Sequence, residues 1–182
     1  MLKRSLFTLV LPVLSLLSGP VLASGLPTPN PVMVERLGDF VPEDFIVYQD
    51  EHARHVVTVF TDVNCPICRR LHNQLGDYQM YEIAVRYAAF PNIGNALEQM
   101  HGVWCSADRK AAMGQAKRSE PVAVAGCRSA VVDQQFELAM SAGLRGTPAI
   151  VTPGGRVIYG HVQAERLLRI LEAEAASGDQ IQ

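Results

Sequence analysis

The 182-residue chain carries no apolar run long enough to cross a bilayer comfortably, no basic stripe, no internal repeat and no low-complexity tract. Each absence removes a class of protein. The main apolar stretch, Leu6 to Leu17, is only about a dozen residues, and Pro12 and Pro20 interrupt the segment. A spanning helix needs about 20 apolar residues, so an uncleaved anchor is the weaker reading. No cysteine follows the stretch, which argues against a lipoprotein. Scattered charges leave nucleic acid without an electrostatic footprint. What the first residues do contain is a short basic start, Met1-Leu2-Lys3-Arg4, then the apolar core, then Val21-Leu22-Ala23. That is the pattern of a secretory signal peptide, expected to span residues 1–23. Without Lys3 and Arg4, 14 basic side chains stand against 18 acidic ones, a net charge of about −4. The remaining length suits one domain with its own core.

Residues 24–44 hold Pro27, Pro29, Pro31 and Pro42 with little periodicity and read as a linker or loosely attached arm. Phe45-Ile46-Val47-Tyr48 is a short strand candidate. His55 to Thr61 is a stronger one, β-branched and almost continuously apolar, as a strand covered on both faces should be. Pro66 to Leu75 reads as a helix ending at Gly76, with Cys68, Leu71 and Leu75 on its buried stripe. Glu82 to Phe90 is another strand, stopped by Pro91. A helical block of about residues 94–143 follows, with Leu97, Met100 and Trp104 on one face, and Val132, Phe136, Ala139 and Met140 on another. Thr147 to Thr152, a Pro153-Gly154-Gly155 turn and Arg156 to Tyr159 form a hairpin. The last amphipathic helix buries Ala164, Leu167, Leu168 and Leu171, leaving 176–182 as a flexible tail. This order is α/β and resembles a thioredoxin fold with a helical insertion between the central strand and the strand after Pro148. The expected domain covers residues 45–175.

Cysteine is scarce, four residues in all, and the two pairs differ. Cys65-Pro66-Ile67-Cys68 follows the strongest strand and opens a helix. The first turn of a helix has unpaired N–H groups and a partial positive charge. Both stabilise a thiolate at Cys65 and lower its pKa toward the nucleophilic range. Pro66 suits the first helical position, where its missing N–H costs nothing, and Arg69 and Arg70 add positive charge nearby. Cys68, turned to the core, is placed to attack a mixed disulfide formed on Cys65. An exposed attacking thiol and a sheltered resolving thiol are what disulfide exchange requires. A zinc site would need further ligands, and Cys105 and Cys127 lack the close spacing of a second pair. A purely structural Cys65–Cys68 bridge would constrain the unfolded chain little.

Cys105 and Cys127 lie outside any redox motif and read as a structural disulfide, with a second redox relay as the alternative. Such a loop would contribute roughly 3 kcal/mol. The five histidines show no ligand spacing; His72 reads as solvated or partly packed. No metal or other cofactor is called for.

The run Thr58-Val59-Phe60-Thr61-Asp62 into Cys65-Pro66-Ile67-Cys68, then Val85-Arg86-Tyr87 and Phe90-Pro91, resembles the catalytic domain of the bacterial disulfide isomerases DsbC and DsbG. Trp104-Cys105-Ser106-Ala107-Asp108, Cys127 and Gly146-Thr147-Pro148-Ala149 continue the likeness, which spans about residues 44–173. The resemblance implies periplasmic work on misoxidised exported proteins, with Cys65 attacking, Cys68 resolving and Cys105–Cys127 bridged inside the insertion. It also implies a cis Pro148 against Cys65, with Thr147 tuning substrate fit and the neighbouring backbone open to an incoming peptide as an added strand. Two departures stand out. Only about twenty residues precede the match after the signal peptide, against a dimerisation domain of some sixty in the family, so a monomer is expected, with a dimer through another interface as the alternative. Pro66-Ile67 replaces the family's central dipeptides, so redox poise does not transfer. Where thioredoxin itself carries a buried acid, six positions before its first cysteine, this chain has Val59, and the proton acceptor for Cys68 is unassigned.

Three functions compete at this point. The first is a reductase or isomerase of non-native disulfides, drawing electrons from a membrane thiol reductase (DsbD-like). The second is an oxidase donating its own bridge and recharged by a membrane oxidase (DsbB-like). The third, of another class, is a metal-binding module built on the two thiols.

Overall fold

The structure is a computed structural model in which residues 26–49, 51–122 and 126–179 are described. The expected signal peptide lies outside the described residues. Strand β2 (His55–Thr61) forms the centre of a five-stranded sheet, with β3 (Ile83–Ala89) parallel on one side and β4 (Ala149–Val151) antiparallel on the other. The edges are β1 (Ile46–Tyr48), antiparallel to β3, and β5 (Val157–Tyr159), antiparallel to β4. Helices follow in chain order as α1 (Pro31–Leu37), α2 (Pro66–His72), α3 (Leu75–Met80), α4 (Ala96–Cys105), α5 (Arg109–Lys117), α6 (Ala130–Ser141) and α7 (Ala164–Asp179).

Strand side chains alternate between faces, so β2 serves two cores. Val57 and Val59 join Leu71, Tyr78, Trp104, Met113 and Leu167 under α2, α3, α4, α5 and α7. Phe60 points the other way, to Met33, Phe45, Phe90, Leu138 and Leu144 beneath α1 and α6. This two-faced burial explains why β2 looks uniformly apolar in sequence.

The segment read as a loose arm is part of the domain from Pro29 onward. Met33 is fully buried and Leu37 nearly so, both in the second core. Asn30 caps α1 by accepting from Met33 N at 3.2 Å, and its amide donates to the Ala142 carbonyl at 2.9 Å. The prolines start elements here instead of breaking them. Pro31 opens α1, Pro42 opens a 3₁₀ turn over Pro42–Asp44, and Pro29 bridges Arg156. The hairpin turn presses close to α1: a Cβ at Gly155, whose φ is +79°, would lie 2.1 Å from Val34 Cγ2. Only glycine fits there.

Two further boundaries differ from the sequence reading. The helix after β2 stops at His72, and the chain re-enters helix at Leu75. Gly76 lies inside α3 on its solvent side, where a Cβ would meet nothing within 4 Å, so it is no stop signal. Buried Tyr78, whose hydroxyl donates to the Val162 carbonyl, sets the course of α3. At the other end α7 continues through Asp179, so residues 176–179 of the expected tail are helical.

The insertion consists of α4, α5 and α6, and polar side chains fasten it to the sheet. Buried Gln135 accepts from Ala89 N at 2.8 Å and donates to the Asp44 carbonyl at 3.0 Å. Trp104 Nε1 reaches the same carbonyl at 2.9 Å. Leu97 and Met140, expected on buried faces, are 40% and 56% exposed, because each lies at the rim of a surface depression.

Candidate active site

The loop between β2 and α2 is fixed before either cysteine is reached. Asp62 is fully buried, and its carboxylate accepts from Asn64 N at 2.6 Å, Asn92 N at 2.6 Å and Ile93 N at 2.8 Å. Three backbone donors satisfy the buried charge and tie the β2 loop to the loop after β3. Arg69 adds a clamp from α2, donating through Nε to the Val63 carbonyl at 2.9 Å. Its guanidinium is thus spent on the loop.

Cys65 is the cap residue of α2, where its sulfur accepts from Cys68 N at 3.4 Å. Both cysteines are free thiols, 5% and 1% exposed respectively. Cys65 nevertheless lines a surface cleft of about 440 Å³, which Phe90, Ile93, Met140, Leu144 and Thr147 also border. Cys68 does not border it. The Thr147–Pro148 bond is cis and immediately precedes β4. As a thiol, Cys65 donates to the Thr147 carbonyl at 3.3 Å, so the residue before the cis-proline touches the nucleophile candidate directly. Ile67 is 38% exposed beside Cys65, and Pro66 is exposed at the first helical position.

The two sulfurs are tuned in opposite directions. Burial alone raises the Cys65 pKa, but hydrogen bonds from the Cys68 N–H, the Thr147 hydroxyl, the Cys68 thiol and the Ile67 N–H outweigh it, leaving a net lowering. Cys68 is pushed up by deeper burial, which the Lys117 charge and bonds from Asp62, Thr147 and Thr61 offset only in part. The thiol at the cleft is shifted toward its anion; the one behind it is shifted toward its neutral form.

Lys117 is the residue that sequence reading missed. It ends α5, is 4% exposed, and donates to Thr61 Oγ1 at 2.6 Å and to the Asp62 carbonyl at 2.9 Å. Its only sequence signal is position: it extends the buried stripe of Ala112, Met113 and Ala116 where another apolar residue would be ordinary. In sequence Asp62 is only the last residue of the Thr58–Asp62 run, and its role needs the Asn92 loop in space. His72 is half-buried, with Nδ1 3.2 Å from the Tyr87 hydroxyl. Burial, aided by the Lys117 and Arg118 charges, lowers its pKa to about 4.

Cys105 and Cys127 form a disulfide inside the insertion, with Cα atoms 6.2 Å apart, so neither joins Cys65 and Cys68. His101 Nδ1 accepts from Ser129 N at 3.2 Å at the start of α6. Among the described residues, no group of three or more His, Cys, Asp or Glu side chains comes together as a metal site.

Residues 41–175 match the thioredoxin-like domain family. The thiol:disulfide interchange protein DsbC of Dickeya dadantii is 37% identical over 169 residues, an alignment covering 89% of this chain and 70% of that protein. The Escherichia coli protein of the same name is 33% identical over 146 residues, covering 79% of this chain and 61% of that one. Among solved structures, a disulfide interchange protein from Neisseria gonorrhoeae superposes with a TM-score of 0.62 at 25% identity, over 71% of this chain and 96% of that one. Proteus mirabilis ScsC in a transitional conformation shares the fold, with a TM-score of 0.61 at 19% identity over 84% of this chain and 82% of that one. A capping thiol whose pKa is lowered, a buried partner thiol and a cis-proline against the first sulfur therefore occur in a chain that belongs to the thioredoxin-like domain family and, within it, to the DsbC thiol:disulfide interchange proteins.

Proposed function

We propose that the protein works in the periplasm, after export by a signal peptide at residues 1–23, reducing or isomerising non-native disulfides in exported proteins. The observation that carries this reading is the opposed tuning of two adjacent thiols at the end of β2, one lining a cleft and one behind it.

Cys65 as thiolate attacks one sulfur of a client disulfide. A Cys65–client bond forms, the client bond breaks, and the other client sulfur leaves as a thiolate. If a different client thiolate attacks the client sulfur of the mixed disulfide, a new client disulfide forms, Cys65 is released and the client is rearranged with no net electron transfer. If Cys68 attacks Cys65 instead, the client departs with two electrons and Cys65–Cys68 is left oxidised. A membrane thiol reductase would then return it to the dithiol. Thr147 and Pro148 would receive the client backbone as an added strand, with Ile67, Ile93 and Met140 offering apolar contact. Pro66 fixes the helix start, and the Cys105–Cys127 bridge serves the scaffold.

The test is exchange with scrambled ribonuclease by wild type, Cys65→Ala and Cys68→Ala proteins. Wild type should restore ribonuclease activity, Cys65→Ala should not, and Cys68→Ala should accumulate mixed disulfides that name the clients. An oxidase charged by a membrane oxidase would instead oxidise reduced ribonuclease and leave the scrambled form unrepaired. Stoichiometric metal on the purified protein with no exchange at all would mark a metal-binding module. Sedimentation should find a monomer.

A further inference from the structure

A buried ammonium needs an anion or good acceptors. The two hydrogen-bond acceptors of Lys117, the Thr61 hydroxyl and the Asp62 carbonyl, are both neutral. Asp62's carboxylate is nearby but is already held by three backbone N–H groups. The Tyr87 ring lies 5.6 Å from Nζ and supplies a weak further attraction. Thr61 and Asp62, which anchor Nζ, are also the residues whose side chain and backbone donate to the Cys68 sulfur. The lysine therefore shares its anchoring residues with the resolving thiol and acts on it by charge, and neither of the two borders the cleft that Cys65 lines.

We propose that Lys117 is the proton acceptor and counter-charge of Cys68: the amine takes the proton that Cys68 must lose before it can close the Cys65–Cys68 bridge. The proposal rests on the exchange reading above. In the step, neutral Lys117 Nζ binds the Cys68 proton and becomes an ammonium. The Cys68 sulfur bonds to Cys65, the Cys65–client bond breaks, and the departing client thiolate is protonated by solvent. On re-reduction the proton returns to Cys68. The insertion thereby supplies what the strand lacks at Val59.

The charged and titratable groups around Nζ fit this cycle. Burial pushes the Lys117 pKa down to about 8, opposed by Cys68, Asp62 and Cys65 and assisted by Arg69. When Cys65 is capped by a client it no longer contributes an anion, so the ammonium loses support at the moment a base is needed. A base is most effective with a pKa near the working pH. Tyr87 and Tyr48 are held well above their ordinary range by burial, and His72 well below, so none of the three competes for the proton near neutrality.

The test preloads Cys65 with an aromatic thiol chromophore and follows its release, which reads the Cys68 step alone, across pH. Lys117→Met keeps the volume; Lys117→Gln keeps hydrogen-bonding capacity without charge. Both should slow release roughly tenfold at neutral pH and move the inflection upward. They should also make the Cys65–Cys68 couple more reducing by roughly tenfold in equilibrium constant, or about 30 mV. A structural role alone would not move the inflection. Release within about twofold of wild type with an unchanged pH profile overturns the proposal. Should neither variant fold, NMR titration of Lys117 in the preloaded wild type decides: a pKa at or below about 8 supports it, and an ordinary lysine value of about 10.4 overturns it. Failure of wild type to accept the chromophore at Cys65 would instead sink the exchange reading.

Discussion

Replacing Asp62 by alanine tests how the thiol pair is held in place. The carboxylate accepts three backbone hydrogen bonds, one from Asn64 and two from the loop after β3. Bonds to a charged acceptor contribute about 1.5–3 kcal/mol each, so a sealed site would lose at least about 4.5 kcal/mol. The site is not sealed: Asn92 and Ile93 are exposed and Asn64 is half-buried. Once the carboxylate is gone, water reaches their N–H groups and returns part of the loss. Asp62→Ala should therefore cost about 3 kcal/mol. Asp62→Asn keeps one acceptor oxygen and turns an NH₂ toward at least one backbone donor, so it should cost about half as much. Urea unfolding of the reduced proteins measures both, with the denaturant slope expected to stay constant. Because Cys65 N donates to the Asp62 carbonyl at 3.4 Å, the loosened loop should also raise the Cys65 pKa, read from thiolate absorbance. A loss below about 1 kcal/mol for alanine, or equal losses for both variants, would refute the account of Asp62 as a three-way acceptor.

Met33→Ala should cost about 2–5 kcal/mol, since its side chain is fully buried; a negligible change in thermal midpoint would return α1 to the status of a loose arm. The Cys105→Ser, Cys127→Ser double variant should lose roughly 3 kcal/mol, less any strain in the native bridge, by denaturant unfolding under non-reducing conditions. Reduced wild type should gain stability over Cys65→Ser as pH rises. The folded pKa of Cys65 is lowered, so this contribution is absent below the folded value and complete only above the unfolded value of about 8.5. Cys68 works in the opposite sense, its raised pKa favouring the fold at low pH and costing stability as pH climbs through the folded value. Iodoacetamide at Cys65 should accordingly reach its plateau rate at lower pH than with a free thiol.

The sheet and the thiol pair are legible in the sequence because each depends on local pattern. β2 announces itself by continuous β-branched residues, and the redox helix by proline after a cysteine at its mouth. What escaped reading is what distance in sequence conceals. Prolines at 29, 31 and 42 look like breakers until Asn30, Ala142 and Gly155 are seen to hold the segment they punctuate. Gly76 looks like a terminus because its neighbours, not its own conformation, decide the course of α3. Asp62 and Lys117 look like surface charges, and only the packing of the Asn92 loop and of α5 against the end of β2 puts them inside.

The loop closed by Cys105–Cys127 contains all of α5, and so carries Lys117. The lysine thus reaches Thr61 from within a loop closed by two sulfurs that stand apart from Cys65 and Cys68. A reductant strong enough to open the permanent bridge would free the segment on which the ammonium rides, detuning the dithiol without touching it.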